Sequence, residues 1–98
     1  MTHGERTKAA ILLTGLAMWR NDPRSVSARG IGNVLGLTHG AILYHTGSTA
    51  GLRDAIAAEA VRIGDLVIVP QLIAARHPAV AEMAAVDRAR YLSGCTMD

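Results

Sequence analysis

The side chains able to do chemistry are few: four histidines, one cysteine, two tyrosines and a modest set of acids and bases in 98 residues. His39 and His45 are six positions apart, which sets them close to opposite sides of a helix, and neither His3 nor His77 stands at a metal-ligand interval from them. No metal and no cofactor is therefore expected. Nucleophilic catalysis needs a Ser or Cys beside a base, and acid–base work needs carboxylates acting together. Neither combination emerges from the spacing, and no glycine-rich phosphate loop does either. An enzyme is the least supported class. Cys95 is the sole cysteine, so no disulfide closes within the chain, and a reducing cytoplasm is the expected compartment. What remains is "GLTHGAILYHTGSTAGL" over residues 36–52, a short run carrying His39, Tyr44 and His45 between Gly36 and Gly47. Imidazole, phenol and hydroxyl groups on such a stub suit contacts to base edges and phosphates.

The elements that must hold this stub are helical. Half the chain is apolar, Phe is absent, and the only aromatics are Trp19, Tyr44 and Tyr91. The rest is rich in alanine, which favours helix over sheet and a core of small side chains, so the fold class is all-α. A chain of this length makes one domain, with a burial modest enough for a dimer partner to help. "MTHGERTKAAILLTGLAMW" at the start contains Glu5 and lacks a small-x-small cleavage site, so it is not read as an export signal. "LVIVPQLIAA" (66–75) is too short to span a bilayer, and no membrane partner is expected.

Periodicity and capping divide the chain. A first helix runs over about residues 5–20 with Ile11, Leu12, Gly15, Met18 and Trp19 on its buried stripe, and "NDPRS" (21–25) stops it at Pro23. Ser27 caps a second helix, 28–35, with Ile31, Val34 and Leu35 inward, and Gly36 ends it. Thr38 caps a third, 39–46, which Gly47 terminates. Ser48 caps a longer fourth helix, whose buried face uses Leu52, Ile56, Ala60, Ile63 and Val67. Pro70 kinks this element or lies in the first turn of a new one. "HPAVAEMAAVDRARYLSG" (77–94) reads as one last helix, with Pro78 in its first turn and Gly94 past its end.

Two short helices joined at a glycine bend make a helix-turn-helix, whose second helix can enter the major groove. Ile42 then faces the core with Leu37, leaving His39, Gly40, Ala41, Tyr44 and His45 outside. Gly40 and Ala41 keep that surface low for close approach. The charge agrees: residues 1–47 hold five cations (Arg6, Lys8, Arg20, Arg24, Arg29) against Glu5 and Asp22, a balance of +3, within a chain whose net charge is +2. A basic front half suits polyanion contact.

Over roughly residues 1–63 the chain resembles the DNA-binding domain of the TetR family of bacterial transcriptional repressors. "ILLTGLAMW" (11–19), "SARGIG" (27–32) and "GLTHGAILYHTGST" (36–49) stand in the places of that family's first-helix, second-helix and recognition segments. The resemblance implies a TetR-like, homeodomain-like three-helix unit with DNA contacts from Arg29, Thr38, His39, Ala41, Tyr44 and His45. Ser27 and Gly40 complete this face. Ser48 and Thr49 add a phosphate site at the start of the fourth helix. Three positions depart from the pattern: Leu43 replaces a phosphate-binding Tyr, Thr46 a core Phe, and Thr49 a phosphate-binding Lys.

The expected organisation is a helix-turn-helix unit over 1–47, then a connecting helix with one or two short C-terminal dimerisation helices over 48–98, in one compact domain overall. Residues 65–92 are apolar on more than one face, so Leu66, Ile68, Val69, Leu72, Ile73, Val80, Met83 and Val86 are expected at a symmetric homodimer interface. The family's large ligand-binding domain has no counterpart of comparable length here, so no small-molecule inducer is expected. The expected function is a dimeric repressor that reads double-stranded DNA with residues 39–46. The alternative, motivated by Leu43, Thr46 and Thr49, is a protein–protein interaction module on the same fold that modulates another regulator without touching DNA.

Overall fold

A computed structural model describes residues 2–93. Among these there are six α-helices and no strand: α1 (His3–Asn21), α2 (Ala28–Leu35), α3 (His39–Thr46), α4 (Thr49–Ile63), α5 (Ile68–Ala74) and α6 (Ala85–Leu92), with short 3₁₀ turns at Pro23–Ser25 and Pro78–Val80. No helix among them is long and apolar enough to cross a membrane. The chain divides into two compact units between Ile56 and Ala57, inside α4. That differs from the expected boundary at residue 47 and from one compact domain, because Leu52 and Ile56, on the first half of α4, are fully buried residues of the first unit. Cys95 and Gly94 lie outside the described residues.

In the first unit, α1 starts two residues earlier than its apolar stripe suggests, through a reciprocal cap. The Glu5 N–H donates to Thr2 Oγ1 (3.1 Å) and the Thr2 N–H to Glu5 Oε1 (2.7 Å), so two orphan donors of the first turn are satisfied together. Asp22 closes the other end. It is extended, its carboxylate accepts the Arg24 N–H (3.0 Å), and Pro23 opens the 3₁₀ turn. The Ser25 hydroxyl donates to the Met18 carbonyl (3.1 Å), tying this turn to the end of α1.

The core here is Ile11, Leu16, Trp19, Val26, Ala28, Ile31, Ile42, Leu52 and Ile56. Gly15 lets α4 approach α1, since a Cβ at residue 15 would overlap Ile56, lying 2.7 Å from its Cγ1. Val34 was expected inside and is 67% exposed. The inward face of α2 is Ala28, Ile31 and Gly32, and Val34 lies about 200° around the helix from Gly32. Leu12 and Met18 are only half-buried, whereas Leu16 is in the core.

The second unit has Ala57, Ala60, Ile68, Val69, Leu72, Ile73 and Val80 as its buried apolar residues. α4 stops at Ile63, where Gly64 turns the chain at φ 69°. Val67 therefore leaves the stripe it was expected to extend, and both Ile63 and Val67 are exposed. The buried Asp65 carboxylate accepts the N–H groups of Val67 (2.9 Å) and Ile68 (2.8 Å), which opens α5. Pro70 is third in that helix, where a missing N–H breaks no internal bond.

Residues 77–94 do not form the single helix that their pattern suggests. The His77 ring accepts the Ala79 N–H through Nδ1 (3.0 Å), a 3₁₀ turn follows, and α6 begins only at Ala85. The Arg88 guanidinium takes up the carbonyls that the break frees: Val80 (2.6 Å), Ala81 (3.3 Å) and Met83 (3.2 Å). Charged donors make strong bonds to such carbonyls, so the broken geometry is supported.

The same packing corrects the expected dimer surface. Ile68, Val69, Leu72, Ile73 and Val80 are buried by the chain itself and are unavailable to a second copy. Leu66 and Val86 remain exposed, and Met83 is half-buried.

Two outcomes are expected. Asp65→Ala leaves two part-buried or buried N–H groups without their acceptor and costs about 2 kcal/mol in urea unfolding, with an unchanged m-value. The backbone and side-chain hydrogen bonds from Thr2 hold the Glu5 carboxyl below its ordinary range. Its contribution to the cap is therefore complete above that range and fades as pH falls through the lowered value. An NMR pH titration reads this as a Glu5 midpoint below that of an unstructured glutamate, lessened but not abolished in Thr2→Ala, which keeps the backbone donor.

Candidate nucleic-acid interface

Everything offered by α3 follows from how α2 ends. The Ser27 hydroxyl opens α2 by accepting the Gly30 N–H (2.9 Å). Gly36 closes it in the left-handed region at φ 71°, ψ 31°, and the Leu37 N–H returns to the Gly32 carbonyl (2.9 Å). Left-handed backbone is strained for residues with a Cβ, so glycine belongs at position 36. Gly32 answers a second demand. A Cβ there would overlap the Leu37 carbonyl oxygen, which is backbone and cannot swing away. The turn can pass this close to α2 only because residue 32 has no side chain.

The next helix starts at once. Thr38 Oγ1 accepts the Ala41 N–H (3.1 Å), and the Gly47 N–H closes the far end on the Leu43 carbonyl (2.6 Å). Ile42 is the one fully buried residue of α3. Tyr44 lies about 200° around from it and is 85% exposed. Gly40, one turn before Tyr44, is exposed with open space where a Cβ would stand. Thr38 and His39 are exposed, while Ala41 and His45 are half-buried on the flank. The Tyr44 and His45 rings meet edge to face at 5.5 Å. This pair stiffens two groups that could each donate or accept a hydrogen bond.

The departures from the family pattern have visible local roles. Thr46 is half-buried and its one hydroxyl proton is within reach of two carbonyls, Ile42 (3.3 Å) and Ser48 (3.5 Å), a polar contact at the junction where an aromatic ring would fill space. Leu43 is half-buried and offers no hydrogen bond to a phosphate. Ser48 caps α4 by accepting the Gly51 N–H (2.9 Å), and Thr49 is exposed in the first turn.

Sequence reasoning did not single out Arg53. Its guanidinium stacks 4.6 Å over the Trp19 ring and donates to the Pro23 carbonyl (3.2 Å). One side chain thereby ties the first turns of α4 to the end of α1. The available signal was an arginine beside the Leu52–Ile56 stripe together with a single tryptophan at the end of the first helix.

Arg29 is exposed on α2 and has no ion-pair partner among the described residues. Through Ile56 the chain carries six cations against three acids, a balance of +3. The expected site residues thus fall in three groups: Ser27 and Arg29 at the start of α2, residues 38–45 on α3 and its cap, and Ser48 and Thr49 at the start of α4. Ser27, Thr38 and Ser48 each use their oxygen to accept a capping bond, which leaves the hydroxyl proton free to donate. No cluster of three or more potential metal ligands occurs among the described residues.

No protein-family model, curated protein or solved structure matches this chain.

Gly32, buried on α2, and Gly40, exposed on α3, make opposite predictions. Gly32→Ala forces a methyl into backbone and costs about 2 kcal/mol. Gly40→Ala meets nothing and gains helix propensity, so thermal unfolding shows it neutral or stabilised by up to about 1 kcal/mol.

Proposed function

We propose that this chain is a DNA-binding transcriptional regulator of the TetR-like helix-turn-helix type, in which α3 enters the major groove as the recognition helix. The observation that carries the reading is the outward face of α3. An almost fully exposed Tyr44 stands one turn from a bare Gly40 on a helix anchored by a single buried Ile42, in a unit with a balance of +3. A phenol held in solvent, edge to face with His45 and beside a bare glycine, offers stacking and hydrogen-bonding groups on a surface a duplex can approach closely. A low-relief helix fits the major groove, which is wide enough to admit one.

In this reading His39 and Tyr44 meet base edges, with Ala41 offering a methyl to thymine. Ser27, Arg29, Thr38 and His45 hold phosphates, and the first N–H groups of α4 beside Ser48 and Thr49 receive another. Thr49 supplies a hydroxyl where a cation would add charge, so phosphate contacts are fewer and the salt dependence is shallow. Two copies related by a two-fold axis would present two α3 helices to successive grooves. The surface for this pairing is Leu66 and Val86 with Ile63, Val67 and Leu92, all exposed. Such a regulator works in the cytoplasm, where the DNA is.

A second reading has its own observation. Leu13 and Val34 are each 67% exposed and border one shallow apolar depression together with Thr14, Ala17, Met18 and Asn21. That surface belongs to the same unit as α3 and suits contact with another protein, as an interaction module without DNA contacts would need.

Fluorescence anisotropy with a duplex library enriched by selection separates the two. The regulator reading expects saturable binding at low salt that selects a palindromic site. Arg29→Ala should lower the salt slope by about 1, and Tyr44→Ala should cost about 1–3 kcal/mol at the selected site while leaving non-specific affinity alone. Binding no tighter than that of an unrelated neutral protein, with folding intact by circular dichroism, sinks it.

A further inference from the structure

The second unit contains a groove of which the DNA reading uses only Leu66, at its proposed pairing surface. Its volume is about 690 Å³, within the range of small-molecule sites. Val61, Leu66 and Met83 supply apolar walls, and Glu82, Asp87, Arg90 and Tyr91 bring polar ends to it. None of these four side chains has a hydrogen bond or ion pair with another described residue. Their neighbour Arg88, by contrast, is fully committed to the Val80, Ala81 and Met83 carbonyls.

Depth sorts the polar groups. Glu82 and Arg90 are exposed at the rim, opposite in charge, and both reach water. Asp87 and Tyr91 are half-buried, and the Tyr91 hydroxyl lies against Gly64, 3.2 Å from where a Cβ there would stand. The inner chemistry is therefore one carboxylate and one aromatic ring beside aliphatic and thioether walls. A carboxylate without a partner and the negative face of a phenol both attract a cation, while the walls attract hydrocarbon.

We infer that this groove is a binding site for a small amphipathic organic cation, an ammonium group carried on an aromatic or aliphatic body. The ammonium lies between the Asp87 carboxylate and the Tyr91 ring, and the apolar body covers Leu66 and Met83. The ammonium site is independent of DNA binding, since Met83, Asp87 and Tyr91 lie neither before Ile56 nor on the proposed pairing surface.

The test is an NMR titration of ¹⁵N-labelled protein with three probes of one shape: phenethylammonium, 2-phenylethanol and 3-phenylpropionate. Phenethylammonium should shift the amides of residues 61, 66, 83, 87 and 91 saturably and bind about tenfold more tightly than the alcohol, the worth of one cation–π contact plus a charge-assisted bond. Phenylpropionate should bind more weakly than either. In Asp87→Asn the preference for ammonium over alcohol should shrink to about twofold, and rim Glu82→Gln should keep most of it. Because the ranking of probes is read on the unaltered protein, it does not depend on any variant folding. Equal affinity for the three probes, or a preference for the anion, overturns the inference. So does movement of the Val61 and Met83 amides on raising protein concentration alone, since neither belongs to the proposed pairing surface and the groove would then be filled by a second copy of the chain.

Discussion

The contact on which the first unit depends is the one between residue 32 and the carbonyl of Leu37. Where a side chain would begin on Gly32, the turn already has its oxygen, while the Leu37 N–H donates back to the Gly32 carbonyl. With the bend held from both sides, the direction in which α3 leaves is settled. Ile42 then drops into the core and Tyr44 is carried to the outside. The candidate interface thus depends on a missing methyl group two turns of chain earlier, together with the caps that its own Ser27 and Thr38 supply.

A second set of ties keeps the base rigid enough to carry such a stub. Gly15 admits Ile56, and Arg53 stacks on Trp19 while bonding to the carbonyl of Pro23. Each tie is worth about 1 kcal/mol, which matters in a small domain whose total stability is of the order of 5–15 kcal/mol. Both ties act on the first half of α4, the helix that Ser48 caps.

The second unit solves a different problem with polar groups. Its buried apolar residues are mostly small or aliphatic, and the segment after α5 is broken where its sequence would allow continuation. Asp65 takes the first N–H groups of α5, and Arg88 takes the carbonyls released before α6. Because a charged side chain satisfies these backbone groups, the break leaves α6 separate from the turn before it. The space that results is the groove lined by Val61, Met83, Asp87 and Tyr91.

What the sequence by itself determined was the position of the helix ends in the first half of the chain. Ser27, Thr38 and Ser48 accept bonds from N–H groups three residues on, and Gly36 and Gly47 have the positive φ that ends a helix. These interactions are closed within one turn of chain, so local composition suffices to read them. Tertiary structure alone decided which apolar residues became interior. It buried Leu16 and exposed Val34, Ile63 and Val67, and it spent Ile68, Val69, Leu72, Ile73 and Val80 inside the chain rather than on a partner. It also recruited Arg53 and Arg88, whose acceptors and ring partner lie too far along the chain or in too irregular a turn for periodicity to report. A cap needs only its own neighbours, whereas burial and long side-chain bonds depend on segments that meet only after folding.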